Sequence, residues 1–239
     1  MTERLYLDQM ELREFDATVV SASRNEVVLD RTAFYPAGGG QPSDNGVIAA
    51  GEQGYGVTDV KRVGEDVVHV LDRAFEGRAG TPVHGVIDWD RRHSVMRFHS
   101  AMHLIDGVIR LYFHSSGMCT GGQIYTDHAR IDFDFDGMNR EKAQEIIEKT
   151  NEVSGEGHDI LIKNMQQKEA LKNLELVRTE PGRELISKLP VVRVVDIVGV
   201  DMQADGGTHV RNTKEIGTLR LMEFKNNGRR NKRITVVFA

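Results

Sequence analysis

The sequence predicts an α+β protein in which a small N-terminal β-barrel (residues 1–90) is followed by an α+β domain (residues 91–239). Short β-branched runs of alternating polarity fill the first part. After Trp89 the apolar spacing changes to steps of three and four, which is typical of a helix. Strands, then helices, then strands again indicate an α+β second domain.

Five runs in the first domain have the alternation of half-buried strands. Gly, Asp or Asn turn residues separate them. Many short strands at this spacing are typical of a small barrel. The runs occupy residues 16–23, 25–30, 31–35, 66–71 and 83–89.

Two helices are predicted in the second domain. The first covers residues 90–113 with Asp90 as its N-cap. Its apolar stripe consists of Val95, Phe98, Met102, Ile105, Ile109 and Tyr112. The second covers residues 139–153 with Asn139 as its N-cap, and its inward-facing residues are Ala143, Ile146 and Ile147. Strands are predicted at residues 129–135, 159–165, 191–198, 216–224 and 233–239.

Composition narrows the class of protein. The chain has 39% hydrophobic and 28% charged residues, which is ordinary for a globular protein. No uninterrupted apolar run comes near the length of about 18 residues that a membrane span requires. The N-terminal residues also lack the apolar core of a signal peptide. The single cysteine, Cys119, suits a reducing compartment, so we expect a cytoplasmic protein. The net charge of −5 argues against indiscriminate nucleic-acid binding along the surface.

A pair of histidines on the first helix is a candidate metal-binding element. His99 and His103 are four residues apart, so their side chains lie on one helical face and can point at one ion. We place them at the edge of the buried face, where Gly107 could let another segment approach closely. Two partly exposed helix histidines are the simpler explanation of the pair when it is taken alone.

A second element follows the strand at residues 191–198. Asp205 and His209 flank two glycines and a threonine, and the glycines permit a tight fold that brings the two side chains together. Zinc prefers about four ligands drawn from Cys, His and carboxylate. A glycine turn with a solvent-facing histidine is the simpler explanation of this element by itself.

Together these residues resemble a known family. HSAMH (residues 99–103) and DGGTHV (residues 205–210) are similar to the zinc site of the alanyl-tRNA synthetase editing domain and of free-standing trans-editing proteins of the AlaX type. AFYPAGGGQPSDNG (residues 33–46) resembles the glycine-rich motif of the medium-length free-standing group, and ARIDFDF resembles the strand between the motifs. The resemblance implies that residues 91–239 are an editing domain like the second additional domain of the synthetases.

The resemblance also implies an activity and a cofactor. The activity is deacylation in trans of tRNA(Ala) mischarged with serine, with glycine as a second candidate. The cofactor is zinc, bound by His99, His103, Asp205 and His209. The family usually has cysteine where this chain has Asp205, and a carboxylate is a harder donor that binds zinc less tightly than a thiolate. Whether zinc activates water or anchors the substrate stays open.

The same resemblance implies a substrate pocket. The glycine-rich segment is no phosphate loop, because GxxxxGK[ST] does not occur, and no ATP site is found. Thr120 and Gln123 are polar groups that could bond a serine hydroxyl. Met102 stands where the family often has threonine. The implied pocket residues are Gly38, Gly39, Gly40, Gln41, Met102, Thr120, Gln123 and Thr208.

A basic cluster lies near the C-terminus, with no acidic residue among its members. Its functional interpretation is phosphate contact with tRNA, and the alternative is a solvated hairpin loop. The cluster consists of Lys225, Arg229, Arg230, Lys232 and Arg233.

Two other functions compete with editing. One is a zinc hydrolase of a different small ester or amide, although Ser100 stands where the HExxH peptidases have glutamate. The other is a non-catalytic tRNA-binding module, which the replaced cysteine makes plausible.

Overall fold

The computed structural model describes residues 1–113, 118–173, 176, 186–228 and 231–239. The chain divides into two compact units, Met1–Val95 and Met96–Ala239. Within the described ranges, no helix is long and apolar enough to cross a membrane. The division into functional domains at residue 90 stays a prediction.

The first unit contains the predicted barrel. Its strands are β1 (Glu3–Arg4), β2 (Glu14–Ser23), β3 (Glu26–Leu29), β4 (Arg31–Thr32), β5 (Gly46–Ala50), β6 (Gln53–Val63), β7 (Asp66–Leu71) and β8 (Pro82–Ile87), with a short 3-10 helix at Leu5–Leu7. Six strands close the barrel in the order β2-β3-β7-β6-β5-β8, and β1 pairs with β4 in parallel. The alternate residues of these strands that point inward, such as Val27, Ile48 and Val67, form one apolar core.

The barrel strands differ from the sequence prediction in two places. β5 and β6 were not predicted, because glycines interrupt the alternation of side chains in this hairpin. The run at residues 31–35 is a strand only over its first two residues. Beyond Thr32 the backbone turns to side-chain acceptors: the Phe34 N–H donates to Oγ1 of Thr32, and the Tyr35 N–H donates to a carboxylate oxygen of Asp44 over 2.6 Å.

The glycine-rich segment is fixed by a buried ion pair. Arg92 is fully buried, and its Nε donates to Oδ1 of Asp44 over 2.8 Å. Other guanidinium N–H groups of Arg92 donate to the backbone oxygens of Met10 and Ala33. Within the segment, residues 38–41 close a tight turn with two backbone hydrogen bonds, and the φ angles of 60° and 83° at its two middle residues require glycine.

The second unit is a helix-and-sheet layer structure. Its elements, with the helix that leads into it, are α1 (Trp89–Tyr112), β9 (Met118–Ile124), β10 (Ala129–Asp134), α2 (Arg140–Glu156), β11 (Ile160–Gln166), α3 (Gln167–Ala170), β12 (Val191–Ile197), β13 (Asp201–Ala204), β14 (Leu219–Asn226) and β15 (Lys232–Phe238), with a 3-10 helix at Thr213–Ile216. The strands form two antiparallel sheets, ordered β14-β15-β10-β9 and β11-β12-β13. The predicted α+β fold with an N-terminal barrel is confirmed.

α1 matches its predicted span closely but departs from it in two details. The cap is Asp88, whose Oδ1 accepts the Arg91 N–H over 3.1 Å, so the prediction of Asp90 was wrong. Asp90 lies inside the first turn, because the helix begins one residue earlier than expected. The predicted apolar stripe is also too narrow, since α1 is buried on its other faces as well, and Tyr112 at its end is 45% exposed.

α2 agrees with its prediction. The Asn139 side chain accepts the N–H of Lys142 and caps the helix. The three predicted inward-facing residues are buried. The helix continues three residues beyond the predicted end and stops at Gly157, whose φ of 87° is left-handed.

Candidate metal centre

α1 presents two imidazoles from one face. His99 and His103 lie on successive turns of the helix, and their ring centroids are 5.1 Å apart. The two residues are only 5% and 7% exposed. The sequence placed them at the edge of the buried face. They lie deeper because residues 200–209 pack against this face of α1.

The turn after β13 brings in the other two predicted ligands, Asp205 and His209. The Gly207 N–H donates to Oδ2 of Asp205 over 2.6 Å and closes a tight side-chain turn. Arg193 of β12 donates from Nη1 to the backbone oxygen of Asp205 over 2.8 Å. These bonds fix the backbone from which both side chains project.

The four side chains converge. One ligand atom from each of His99, His103, Asp205 and His209 lies within 4.8 Å of the others. The carboxylate of Asp205 is 3.6 Å from Nε2 of His99 and 3.1 Å from Nε2 of His209. Donors of a tetrahedral zinc ion with bonds of about 2.1 Å stand about 3.4 Å apart. The two distances from the Asp205 carboxylate lie on either side of that value.

The electrostatic surroundings of His99, His209 and Asp205 favour the protonation states in which these side chains bind a metal. Burial lowers the pKa of His99 to about 4, against the opposing effect of the Asp205 carboxylate. Burial also lowers the pKa of His209 well below its usual value. Burial by itself would raise the pKa of Asp205, but interactions with His99 and His209 outweigh it and hold the pKa well below its usual range. At neutral pH these imidazoles are therefore uncharged, and Asp205 is ionised.

The donor set fits a zinc ion. Three imidazoles and one carboxylate form a ligand set of the kind that tetrahedral zinc accepts. Nδ1 of His103 is buried and has no hydrogen-bond partner among the described residues. A buried ring nitrogen without a partner is costly in an apolar environment, and this one lies in a residue whose ring can ligate a metal.

Ser100 contacts one of the candidate ligands, His209, and this role was not predicted from the sequence. It is fully buried, and its Oγ lies 3.2 Å from Nδ1 of His209. The only sequence signal for this role is its position between the two histidines of HSAMH.

A second supporting group consists of two buried carboxylates joined by an amide. Nε2 of Gln203 donates to Asp201 over 2.7 Å and to Asp106 over 2.9 Å. The carboxylate of Asp201 lies 3.8 Å from Nδ1 of His103. No sequence signal marked these residues, because single polar residues in strands and helices are common at surfaces.

Gly107 lets this group approach α1. A Cβ atom at Gly107 would lie 2.9 Å from Cβ of Asp201 and 3.0 Å from the backbone oxygen of Val200. The expectation that Gly107 permits a close approach is therefore confirmed.

The predicted pocket residues of the second unit have different surroundings. Met102 packs on β9, where a Cβ atom at Gly122 would lie 2.2 Å from its Cε. Thr208 is fully buried, and its backbone accepts a hydrogen bond from His99. Thr120 is exposed on the same strand. Gln123 lies on the opposite face of β9 from Gly122, because neighbouring strand residues point to opposite faces.

Gly38, Gly39, Gly40 and Gln41 lie in the first unit, in the tight turn described above, where Gln41 is buried. The assignment of all eight residues to one pocket stays a prediction.

The basic cluster is dispersed along one hairpin. Lys225 is exposed on β14 and pairs with Glu223 at 2.9 Å. Lys232 is buried, and its Nζ donates to Oδ1 of Asn226 and to the backbone oxygen of Gly228 in the hairpin turn. Arg233 forms two hydrogen bonds with Asp132. The remaining two residues, Arg229 and Arg230, lie outside the described residues.

Comparison with known proteins connects both units to tRNA synthetases and their relatives. A family model described as tRNA synthetases class II (A) matches residues 5–91. A model described as the threonyl and alanyl tRNA synthetase second additional domain matches residues 192–235, which include Asp205 and His209.

Individual relatives match nearly the whole chain. The alanyl-tRNA editing protein AlaX-M of Saccharolobus solfataricus is 39% identical over 238 residues, which are 98% of each chain. The protein of the same name from Methanosarcina acetivorans is 37% identical over 242 residues, again 98% of each chain. The alanine–tRNA ligase of Ignicoccus hospitalis is 39% identical over 225 residues, which are 94% of this chain but 24% of the ligase. The chain therefore belongs to the medium-length AlaX family of alanyl-tRNA editing proteins.

Proposed function

We propose that this protein is an aminoacyl-tRNA deacylase that hydrolyses the ester of serine mischarged on tRNA(Ala), with Gly-tRNA(Ala) as a second substrate, at a zinc site. The single observation that carries the proposal is the convergence of His99, His103, Asp205 and His209 within 4.8 Å. Membership of the editing family supplies the class of substrate. We expect the reaction to take place in the cytoplasm, where charged tRNA is used.

The chemistry requires little from the protein beyond position and charge. An aminoacyl ester is already activated, so its hydrolysis needs a placed water molecule and stabilisation of the developing oxyanion. A zinc ion bound here supplies Lewis-acid chemistry, which either lowers the pKa of water or polarises the ester carbonyl. Imidazoles ligate metals in their neutral form, so the Asp205 carboxylate would be the single negative charge set against the two positive charges of a bound zinc ion. The remaining positive charge favours an oxyanion.

The chain's own residues also exclude bulk water from this region. The ligand histidines are nearly inaccessible, and Thr208 beside them is fully buried. In such surroundings each electrostatic interaction is stronger than it is in water. We propose that these ligands would hold the metal ion. Their burial would keep water from screening its charge.

Selection of serine over alanine requires polar groups that alanine leaves without partners. Thr120 is the exposed hydroxyl of β9, the strand whose Gly122 packs against Met102. We propose that Thr120 discriminates the hydroxyl. In this assignment Met102 contributes an apolar wall beside it.

The experiment is a deacylation assay of the zinc-loaded protein with Ser-, Gly- and Ala-tRNA(Ala). We expect rapid loss of serine, slower loss of glycine and little loss of alanine. If Ser-tRNA(Ala) stays intact while the protein still binds tRNA, the protein is a non-catalytic binding module. If all three aminoacyl-tRNAs stay intact while a small ester is hydrolysed, it is a zinc hydrolase of another substrate.

A further inference from the structure

The outer face of the four-stranded sheet carries an open groove of about 410 Å³ in the second unit. The opposite face is buried, since Ile131 of β10 and Ile234 of β15 are fully inaccessible. Side chains alternate along each strand, so Arg130 of β10 and its cross-strand partner Thr235 point into the groove. The groove is thus built on a rigid sheet.

Cations outnumber acids along the groove. Arg130, Lys225 and Arg233 line it, and Glu223 is its acidic lining residue. This balance is opposite in sign to the net charge of −5 of the whole chain. A local positive surface on an acidic protein is a feature of sites that bind anions selectively.

Arg130 differs from the other two cations. Arg233 is held by Asp132, and Lys225 by Glu223. Nε of Arg130 is buried and lacks a hydrogen-bond partner among the described residues. No hydrogen bond or ion pair among the described residues engages the Arg130 guanidinium, so the part of it that lines the groove is suited to donate to a phosphate.

An aromatic pair stands at the β9–β10 turn. The rings of Tyr125 and His128 are stacked, with centroids 4.2 Å apart and an interplanar angle of 13°. Tyr125 is 39% exposed, and across the groove Met222 is 60% exposed. Exposed aromatic faces beside arginine on an open sheet are the arrangement by which proteins stack unpaired RNA bases.

We propose that this groove binds an unpaired nucleotide of the tRNA, with the base stacked against the Tyr125–His128 pair and a phosphate at Arg130. The inference rests on the proposed tRNA substrate and adds a binding surface built from residues outside the metal site. It also extends the RNA contact expected at the basic cluster, because Lys225 and Arg233 of that cluster line the groove beside groups from β10 and from the turn that precedes it.

The experiment measures binding of labelled, uncharged tRNA(Ala) to the full-length protein by fluorescence anisotropy. We expect Tyr125→Ser and Arg130→Gln each to weaken binding about tenfold, as loss of a stacking or charged contact does. Tyr125→Phe, which keeps the ring, and Arg140→Gln, which removes an exposed arginine from α2, should bind within about twofold of wild type. Arg130→Gln should also reduce the dependence of binding on salt by about one phosphate contact.

Competing oligonucleotides identify what occupies the groove. A short single-stranded RNA should displace tRNA(Ala) from the wild type and compete less well against Tyr125→Ser. Wild-type affinity in both Tyr125→Ser and Arg130→Gln, or equal competition by duplex and single-stranded RNA, would overturn the proposal. Because uncharged tRNA is the probe, the binding result does not depend on hydrolysis. A protein that does not deacylate Ser-tRNA(Ala) can therefore still support or contradict the proposed groove.

Discussion

Oγ of Ser100 lies 3.2 Å from Nδ1 of His209, although 109 residues separate them in the chain. The same Oγ accepts the N–H of Val210 over 3.2 Å. Nε2 of His209 faces Asp205, so the contact at Nδ1 sets the orientation of the ring. α1 therefore contributes two of the converging imidazoles and also orients the third.

Replacing Ser100 tests this arrangement. We expect Ser100→Ala to weaken zinc binding about 10- to 100-fold, because a ligand that loses its orienting hydrogen bond binds metal less well. The affinity is measured by competition with a chromophoric chelator. Ser154→Ala is the matched control, since it removes a buried hydroxyl from α2 that donates to Thr213. Equal zinc affinity in Ser100→Ala and wild type would exclude the orienting role.

Asp205→Cys tests whether the carboxylate is a ligand. The thiolate is a softer donor, so we expect zinc to bind about tenfold more tightly in the same chelator assay. Asp205→Asn should move the affinity in the opposite direction because it removes the negative charge. A zinc affinity that neither substitution changes would show that Asp205 lies outside the coordination sphere.

The sequence predicted the residues that converge better than it predicted their surroundings. HSAMH and DGGTH each contain two metal-donor residues at a fixed spacing, so each motif determines how its two donors lie relative to one another. The supports come from elsewhere in the chain: Asp201, Gln203 and Asp106 reach His103 through side-chain contacts that no local pattern records.

The same distinction applies to the fold. Periodicity identified α1 and α2 and most of the barrel strands. It missed β1, β5, β6, β9 and β13, which are short or contain glycine and so lack clear alternation. The apolar pattern does not distinguish Asp90 from Asp88 as the cap, because it is the same whichever of the two residues begins the helix.

Arg92 should be essential for the stability of the first unit. We expect Arg92→Met to lower the free energy of unfolding by about 3–5 kcal/mol, because Asp44 would remain buried without its partner. Arg78→Met, at an exposed position, should cost less than about 0.5 kcal/mol. Denaturant unfolding measures both. A small effect of Arg92→Met would contradict the stabilising role of this ion pair.

His69 should make stability depend on pH. Burial lowers its pKa from 6.5 to about 4, and the ring contacts Thr32 and Val27 in the barrel core. Between these values the unfolded chain binds a proton that the native protein does not, so stability falls as pH falls. From about pH 7 to about pH 5 the loss attributable to His69 is roughly 2 kcal/mol.

Denaturant unfolding at both pH values isolates this contribution. His69→Gln should lose less stability on acidification than wild type does. His84→Gln, at a partly exposed histidine whose pKa is raised by its hydrogen bond to Asp16, should not reduce the loss. Identical pH dependence in His69→Gln and wild type would show that His69 is not the titrating group.

Zinc-dependent hydrolysis is tested most directly by measuring zinc content and Ser-tRNA(Ala) deacylation together in wild type and His103→Ala. We expect about one zinc per wild-type chain, and a loss of both metal and activity in the variant, with the rate lower by at least about a hundredfold. Binding of uncharged tRNA should persist in the variant. Full deacylation by a zinc-free His103→Ala protein would contradict a hydrolytic metal centre at this site.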